Sequence, residues 1–155
     1  MEQPVETVSE YGTKEWRLNG KLHREDGPAA ILSDGSKEWW LDGKLHREDG
    51  PAVIEASGIE RWYKNHSLHR EDGPAITYPD GTEVWFRDGR RHREDGPAII
   101  YQDGTLKWFR NDMLHRIDGP AVLHPDGSEE WWLDGLKYAH TKGSTLQEMS
   151  FSSAF

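Results

Sequence analysis

Apolar residues along this chain come in short runs broken by glycine, proline and aspartate, and no stretch before residue 140 keeps the 3.6-residue period of an amphipathic helix. In residues 73 to 89, β-branched and aromatic side chains gather in two short runs, separated by Pro79-Asp80-Gly81 and closed by Asp88-Gly89. Proline presets φ for a turn and glycine accepts positive φ, so the pattern predicts hairpins of short strands. The second turn recurs as Asn19-Gly20, Asp42-Gly43, Asp88-Gly89 and Asp134-Gly135. Pro28, Pro51, Pro74, Pro97 and Pro120 lack an N–H, which places their column at a strand start or a bulge.

The pattern is a tandem repeat. His23, His46, His69, His92 and His115 follow one another at intervals of 23 residues, each opening His-Arg-(Glu/Ile)-Asp-Gly-Pro-Ala. Seven residues earlier stand Trp16, Trp39, Trp62, Trp85 and Trp108; Trp131 occupies the same place before Tyr138, which replaces the histidine. Residues 1–10 read as a degenerate half-repeat, because Thr7-Val8 falls where Val53-Ile54 and Ile99-Ile100 fall. Residues 11–136 carry the repeats, and 137–155 abandon the period as a C-terminal cap or tail, with Leu146, Met149, Phe151 and Phe155 apolar among small polar residues. About two strands per repeat are expected, in an all-β, elongated antiparallel hairpin array.

Composition changes the picture in two ways. Only 34% of residues are hydrophobic but eight are tryptophan, so burial has to come from aromatics. Trp16, Trp39, Trp62, Trp85, Trp108 and Trp131 are expected to form the structural spine, completed by Leu22, Leu45, Leu68 and Leu114 and by pairs such as Val53-Ile54. A fully buried tryptophan ring removes about 150–250 Å² from water, roughly 4–6 kcal/mol before entropy is charged. The absence of cysteine rules out disulfides and thiolate metal sites and fits the cytoplasm. No apolar run resembles a secretion signal or a membrane span, so no membrane partner is expected.

The segment Trp39-Trp40-Leu41-Asp42-Gly43-Lys44-Leu45 within its 23-residue unit resembles the MORN-type repeat, in the variant with aromatic pairs before an Asn/Asp-Gly-Lys turn. The string Leu-His-Arg-Glu-Asp-Gly-Pro-Ala (45 to 52) is similar to a repeat common in proteins of tailed phages and large DNA viruses. The resemblance spans about residues 11 to 136. It implies a twisted, elongated MORN-like meander used for binding, and a host-directed role. The His-Arg-Glu-Asp block departs from the usual MORN pattern, so lipid binding is not carried over.

The block restrains chemical readings. Equivalent residues in successive two-strand units lie roughly 10 Å apart, too far for neighbouring histidines to share a zinc ion at about 2.1 Å; no metal or cofactor is expected. Arg24, Arg47, Arg70, Arg93 and Arg116 are expected to pair with acids of their own or the next repeat; exposed pairs would cost far less to lose than a tryptophan, whereas a networked, partly buried set would fix the register between repeats. Because the reactive residue types recur as a period, with no repeated serine or cysteine nucleophile, enzymatic activity is not expected.

Function is sought where the repeat is broken. Five residues before the histidine, the outer units carry Leu18, Leu41 and Leu133, but the central ones carry Lys64, Arg87 and Arg110. Arg90 and Arg91 replace the Lys and Leu of that turn, and the adjacent column supplies Tyr63, Phe86 and Phe109. These eight residues predict a basic-aromatic patch for an acidic partner or for an anion with a planar part, such as a nucleotide. A net charge of −9 argues against direct nucleic-acid binding; a row of Glu15, Glu38, Glu60, Glu83, Glu129 and Glu130 could instead mimic DNA. Other breaks are His66 and Asp112 in the glycine column, and His124. Together these readings point to a binding protein: a phage-encoded inhibitor that blocks a host defence protein in the host cytoplasm. A sponge for a nucleotide signal and a scaffolding component are the alternatives.

Overall fold

The computed structural model describes residues 2–139; residues 140–155, most of the expected cap or tail, lie outside the described residues. The described chain is all-β, and its strands pair antiparallel throughout. The unit containing Trp85 shows the pattern. Ile76–Thr77 pairs with Glu83–Val84 across the Pro79-Asp80-Gly81 turn, and Phe86–Arg87 pairs with Arg90–Arg91 across Asp88-Gly89. Each unit after the first therefore holds four two-residue strands rather than the expected two; in the first, Lys14–Leu18 runs through the tryptophan as one strand. The difference arises at the tryptophan. Residues 83–87 form one path that changes partners at Trp85, whose N–H donates to Ala98 O (2.8 Å) while its carbonyl accepts from His92 N–H (3.2 Å).

Two lanes result. The Pro-Asp-Gly-type hairpins join into a meander of twelve strands running from Val5–Val8 to Glu129–Glu130, and Lys21–Leu22 pairs off this path as the sheet's thirteenth strand. The Asp-Gly hairpins form a row beside it, tied unit to unit by bonds such as Arg70 N–H to Phe86 O (3.2 Å) and Gly89 N–H to Leu68 O (2.9 Å).

Local chemistry explains both turns. Asp80 Oδ1 accepts the Thr82 N–H (2.8 Å), Tyr78 N–H closes the loop onto Thr82 O (2.9 Å), and Gly81 takes φ 89°. In the second turn Asp88 and Gly89 both adopt positive φ, 49° and 77°, the signature of the type I′ hairpin. Units three and five reach the same shape without glycine: His66 sits at φ 70° and Asp112 at φ 67°. Each has a compensating contact. His66 Nδ1 accepts the Leu45 N–H (3.2 Å), and Asp112 Oδ1 accepts both the N–H (3.0 Å) and the Nε–H (2.8 Å) of Arg91.

The innermost column is alanine. Ala29, Ala52, Ala75, Ala98 and Ala121 are each 0% exposed, flanked by buried Ala30, Val53, Ile76, Ile99 and Val122. The six tryptophans do occupy one column, but each is half-buried, and the outer faces of the first five are covered by arginine rather than by apolar groups. Tyr138, in the histidine column of the last unit, is buried and meets Trp131 edge-to-face at 6.2 Å. Among the described residues no helix is long and apolar enough to cross a membrane.

Candidate binding surface

The His-Arg-Glu-Asp-Gly-Pro-Ala blocks line up along one side of the array, and nearly every residue in them has a structural task. The histidine pins the hairpin of the next unit. Asp88 N–H donates to His69 Nδ1 (3.1 Å), with Asp88 Oδ1 2.9 Å from the same nitrogen. The same lock joins His23 to Asp42, His46 to Asn65, His92 to Asn111 and His115 to Asp134.

The arginine lies flat on the tryptophan of its own unit. The five guanidinium carbons sit 4.0 to 4.2 Å from the ring centroids, a cation–π geometry. In the third block Arg70 Nε donates to Asp72 Oδ1 (3.1 Å) and Nη1 to Pro74 O (3.3 Å). The glycine makes the stack fit: a Cβ on Gly73 would stand 2.9 Å from Arg70 Cζ, and one on Gly50 2.6 Å from Arg47 Cζ. Tryptophan, guanidinium and glycine thus form three layers. Of the two readings of these pairs, the partly buried one holds on the arginine side, since these arginine side chains are only 24 to 25% exposed although their aspartates are 83 to 85% exposed. Hydrogen bonds from Arg24, Arg47, Arg93 and Arg116, reinforced by their charge, hold the carboxyls of Asp26, Asp49, Asp95 and Asp118 below the usual aspartate value.

The glutamate is the exception. Glu25, Glu48, Glu71 and Glu94 are 77 to 92% exposed, and their carboxylates stop 3.7 to 3.8 Å from the block's histidine Nε2, beyond hydrogen-bond reach. Between successive blocks run open grooves. One of about 730 Å³ is lined by Arg70, Glu71, Trp85, Arg87, His92 and Glu94 among others. The next, of about 790 Å³, is lined by Arg93, Glu94, Trp108, Arg110, His115 and Ile117 among others.

The predicted basic-aromatic patch does not form one site. Lys64, Arg87, Arg90 and Arg110 are exposed, Tyr63, Phe86 and Arg91 half-buried, and Phe109 buried. Strand alternation sends neighbours to opposite faces: Arg87 lines the block-side groove with Trp85, whereas Phe86 and Arg91 line a separate concavity of about 420 Å³ with Ile76, Tyr78, Val84 and Tyr101. The cations are also engaged. Arg87 pairs with Glu94 (3.1 Å), Arg110 with Asp134 (2.7 Å), and Arg91 with Asp112 while lying 4.2 Å over the Phe109 ring. Arg90 stands opposite Arg87 in the hairpin; Lys64 lines a block-side groove with Trp62, Tyr63 and His69.

The acidic row proposed for mimicry is largely occupied too. Glu15, Glu38, Glu60, Glu83 and Glu130 are half-buried, and only Glu129 is exposed. Glu38 accepts Trp40 Nε1–H (2.8 Å), and Glu15 pairs with Arg17 (2.9 Å). Burial pushes the Glu130 carboxyl up, but hydrogen bonds from His124, Lys137 and Trp132 outweigh it and hold the carboxyl down at about 2. The blocks themselves present exposed acids at regular intervals. Their signal was in the sequence, as the one block position where an unlike residue, Ile117, is tolerated.

No family model matches the chain, and no curated protein matches it. Among solved structures it is similar to the G-box domain of the microcephaly protein CPAP, described as suggesting a role in centriole elongation, at 22% identity over 89% of this chain and 81% of that chain, with a TM-score of 0.25.

Proposed function

We propose that this chain is a non-enzymatic binding protein whose block side is a contact surface for another protein, and that it acts as a viral inhibitor occluding a host defence protein. One observation carries the binding reading. In a seven-residue block where histidine, arginine, aspartate, glycine, proline and alanine each serve the fold, the glutamate is presented to solvent at every repeat from the first to the fourth. Glu94 accepts a hydrogen bond from Arg87 (3.1 Å); at Glu25, Glu48 and Glu71 the charge stands clear of its histidine and is available to a partner. The histidines and arginines, the groups from which an acid–base site would be built, are consumed in locks and stacks, which favours recognition over chemistry. The inhibitor role rests on the resemblance of the repeat to viral proteins.

The test is affinity capture from host lysate with the intact protein and with a variant carrying Glu25→Gln, Glu48→Gln, Glu71→Gln and Glu94→Gln. Since the glutamates hold no strand or turn, the variant should melt within a few degrees of the parent. A partner retained by the parent and lost at least tenfold by the variant supports the reading. Equal capture by both would remove the block side from consideration.

A further inference from the structure

The fifth block breaks the row, and it does so in a groove. Ile117 stands where the other four blocks carry glutamate and leaves 60% of its surface exposed. It lines the groove of about 790 Å³ together with Trp108, Arg110 and His115. His115 is 9% exposed, and its Nε2 has no hydrogen-bond partner, whereas the Nε2 atoms of His69 and His92 at least face a glutamate at 3.7 Å. Counting Arg, Glu and Asp, the first four blocks each carry a charge of −1 and the fifth carries none. One end of the block row is therefore apolar and neutral, and the rest is a regular line of exposed carboxylates.

We infer that the groove between the fourth and fifth blocks anchors one apolar side chain of a basic, extended segment in a partner protein, with the cations of that segment following Glu94, Glu71 and Glu48. The inference rests on the reading of the chain as a binding protein and specifies the partner's chemistry. Successive units recur at roughly two strand spacings, about 10 Å, and a segment in the extended polyproline II conformation advances about 3.1 Å per residue with three residues per turn, which sets every third side chain on one face. A cation at every third residue beyond the anchor matches the row. The apolar side chain covers Ile117.

The test uses the whole protein and labelled synthetic peptides read by fluorescence anisotropy at low and moderate salt. The probe carries one leucine followed by four arginines at every third position with Gly and Ser between, in both chain directions; controls place the arginines at every second position or replace them with glutamate. One direction of the every-third peptide should bind best, and its affinity should fall with salt as exposed charge pairs are screened. Ile117→Glu, which restores the residue of the other four blocks and so keeps the fold, should weaken binding at least tenfold. Glu71→Gln with Glu94→Gln should weaken it severalfold and flatten the salt dependence. Equal binding to parent and Ile117→Glu protein, indifference to arginine spacing, or no binding of any peptide would overturn the proposal. If the lysate partner is captured equally by parent and Ile117→Glu protein, the binding reading stands and this groove is not its anchor.

Discussion

The tryptophan–arginine–glycine stack and the type I′ turn occur side by side in each unit, yet one is uniform and the other varies. All five complete units build the stack from the same three residue types at the same distances. The turn is built as Asn-Gly, Asp-Gly, Asn-His and Asn-Asp. The stack is closed on both sides, so any change in one layer displaces the next. The turn faces the neighbouring hairpin on one side only, and a polar side chain that offsets positive-φ strain with a new hydrogen bond is an adequate substitute for glycine.

The largest effect should come from opening the stack. Trp62→Ala should cost about 2–4 kcal/mol, below the full range for a buried aromatic because the ring is half-buried. Arg70→Ala should cost about 1–3 kcal/mol, since it removes a cation–π contact and two hydrogen bonds. Urea denaturation of both variants checks this. An Arg70→Ala cost within a few tenths of zero would mean the guanidinium only decorates the ring.

A smaller difference sharpens the other side of the comparison. Gly89→Ala should cost about 1 kcal/mol for an L-residue at φ 77°, since its Cβ would meet nothing closer than Ser67 at 3.9 Å. Gly89→Asp should cost less, because it can accept the Leu68 N–H as Asp112 accepts that of Arg91. Were aspartate as costly as alanine there, the contacts of His66 and Asp112 would not be what makes them tolerable.

The smallest effect is a pH dependence at the last unit. Because the folded-state pKa of Glu130 is depressed to about 2, its contribution to stability is fully present above the ordinary glutamate value of 4.5 and is lost as pH falls through about 2. A carbon-detected NMR titration should find Glu130 still ionised at pH 3. Glu130 protonating near the ordinary value of 4.5 would mean that its bonds to His124 and Lys137 do not persist in solution.

Much of this fold was legible because its signals are local. Period, turn positions and the column of Trp16 to Trp131 follow from counting residues, since turn chemistry acts within four residues. The stack was not legible, because Arg70 reaches Trp62 across eight residues and the intervening hairpin must exist first. The alanine column was hidden by its blandness: Ala75 after Gly-Pro reads as a strand start, and its complete burial depends on both lanes. How the basic and aromatic residues divide between faces is a different matter. Phe86 and Arg87 are adjacent in sequence, and adjacency in a strand means opposite faces, a rule the sequence alone was sufficient to apply.

The histidine lock also has a direction: each block fastens the hairpin that follows it, so His69 acts on Asp88 and His92 on Asn111. Synthesis runs the same way. At about 5–20 residues per second a ribosome releases one unit roughly every one to five seconds, whereas a hairpin closes in about 1–10 µs. Each new turn therefore emerges beside a finished unit whose histidine is already in place, and the array can grow as a ratchet that adds one closed step at a time.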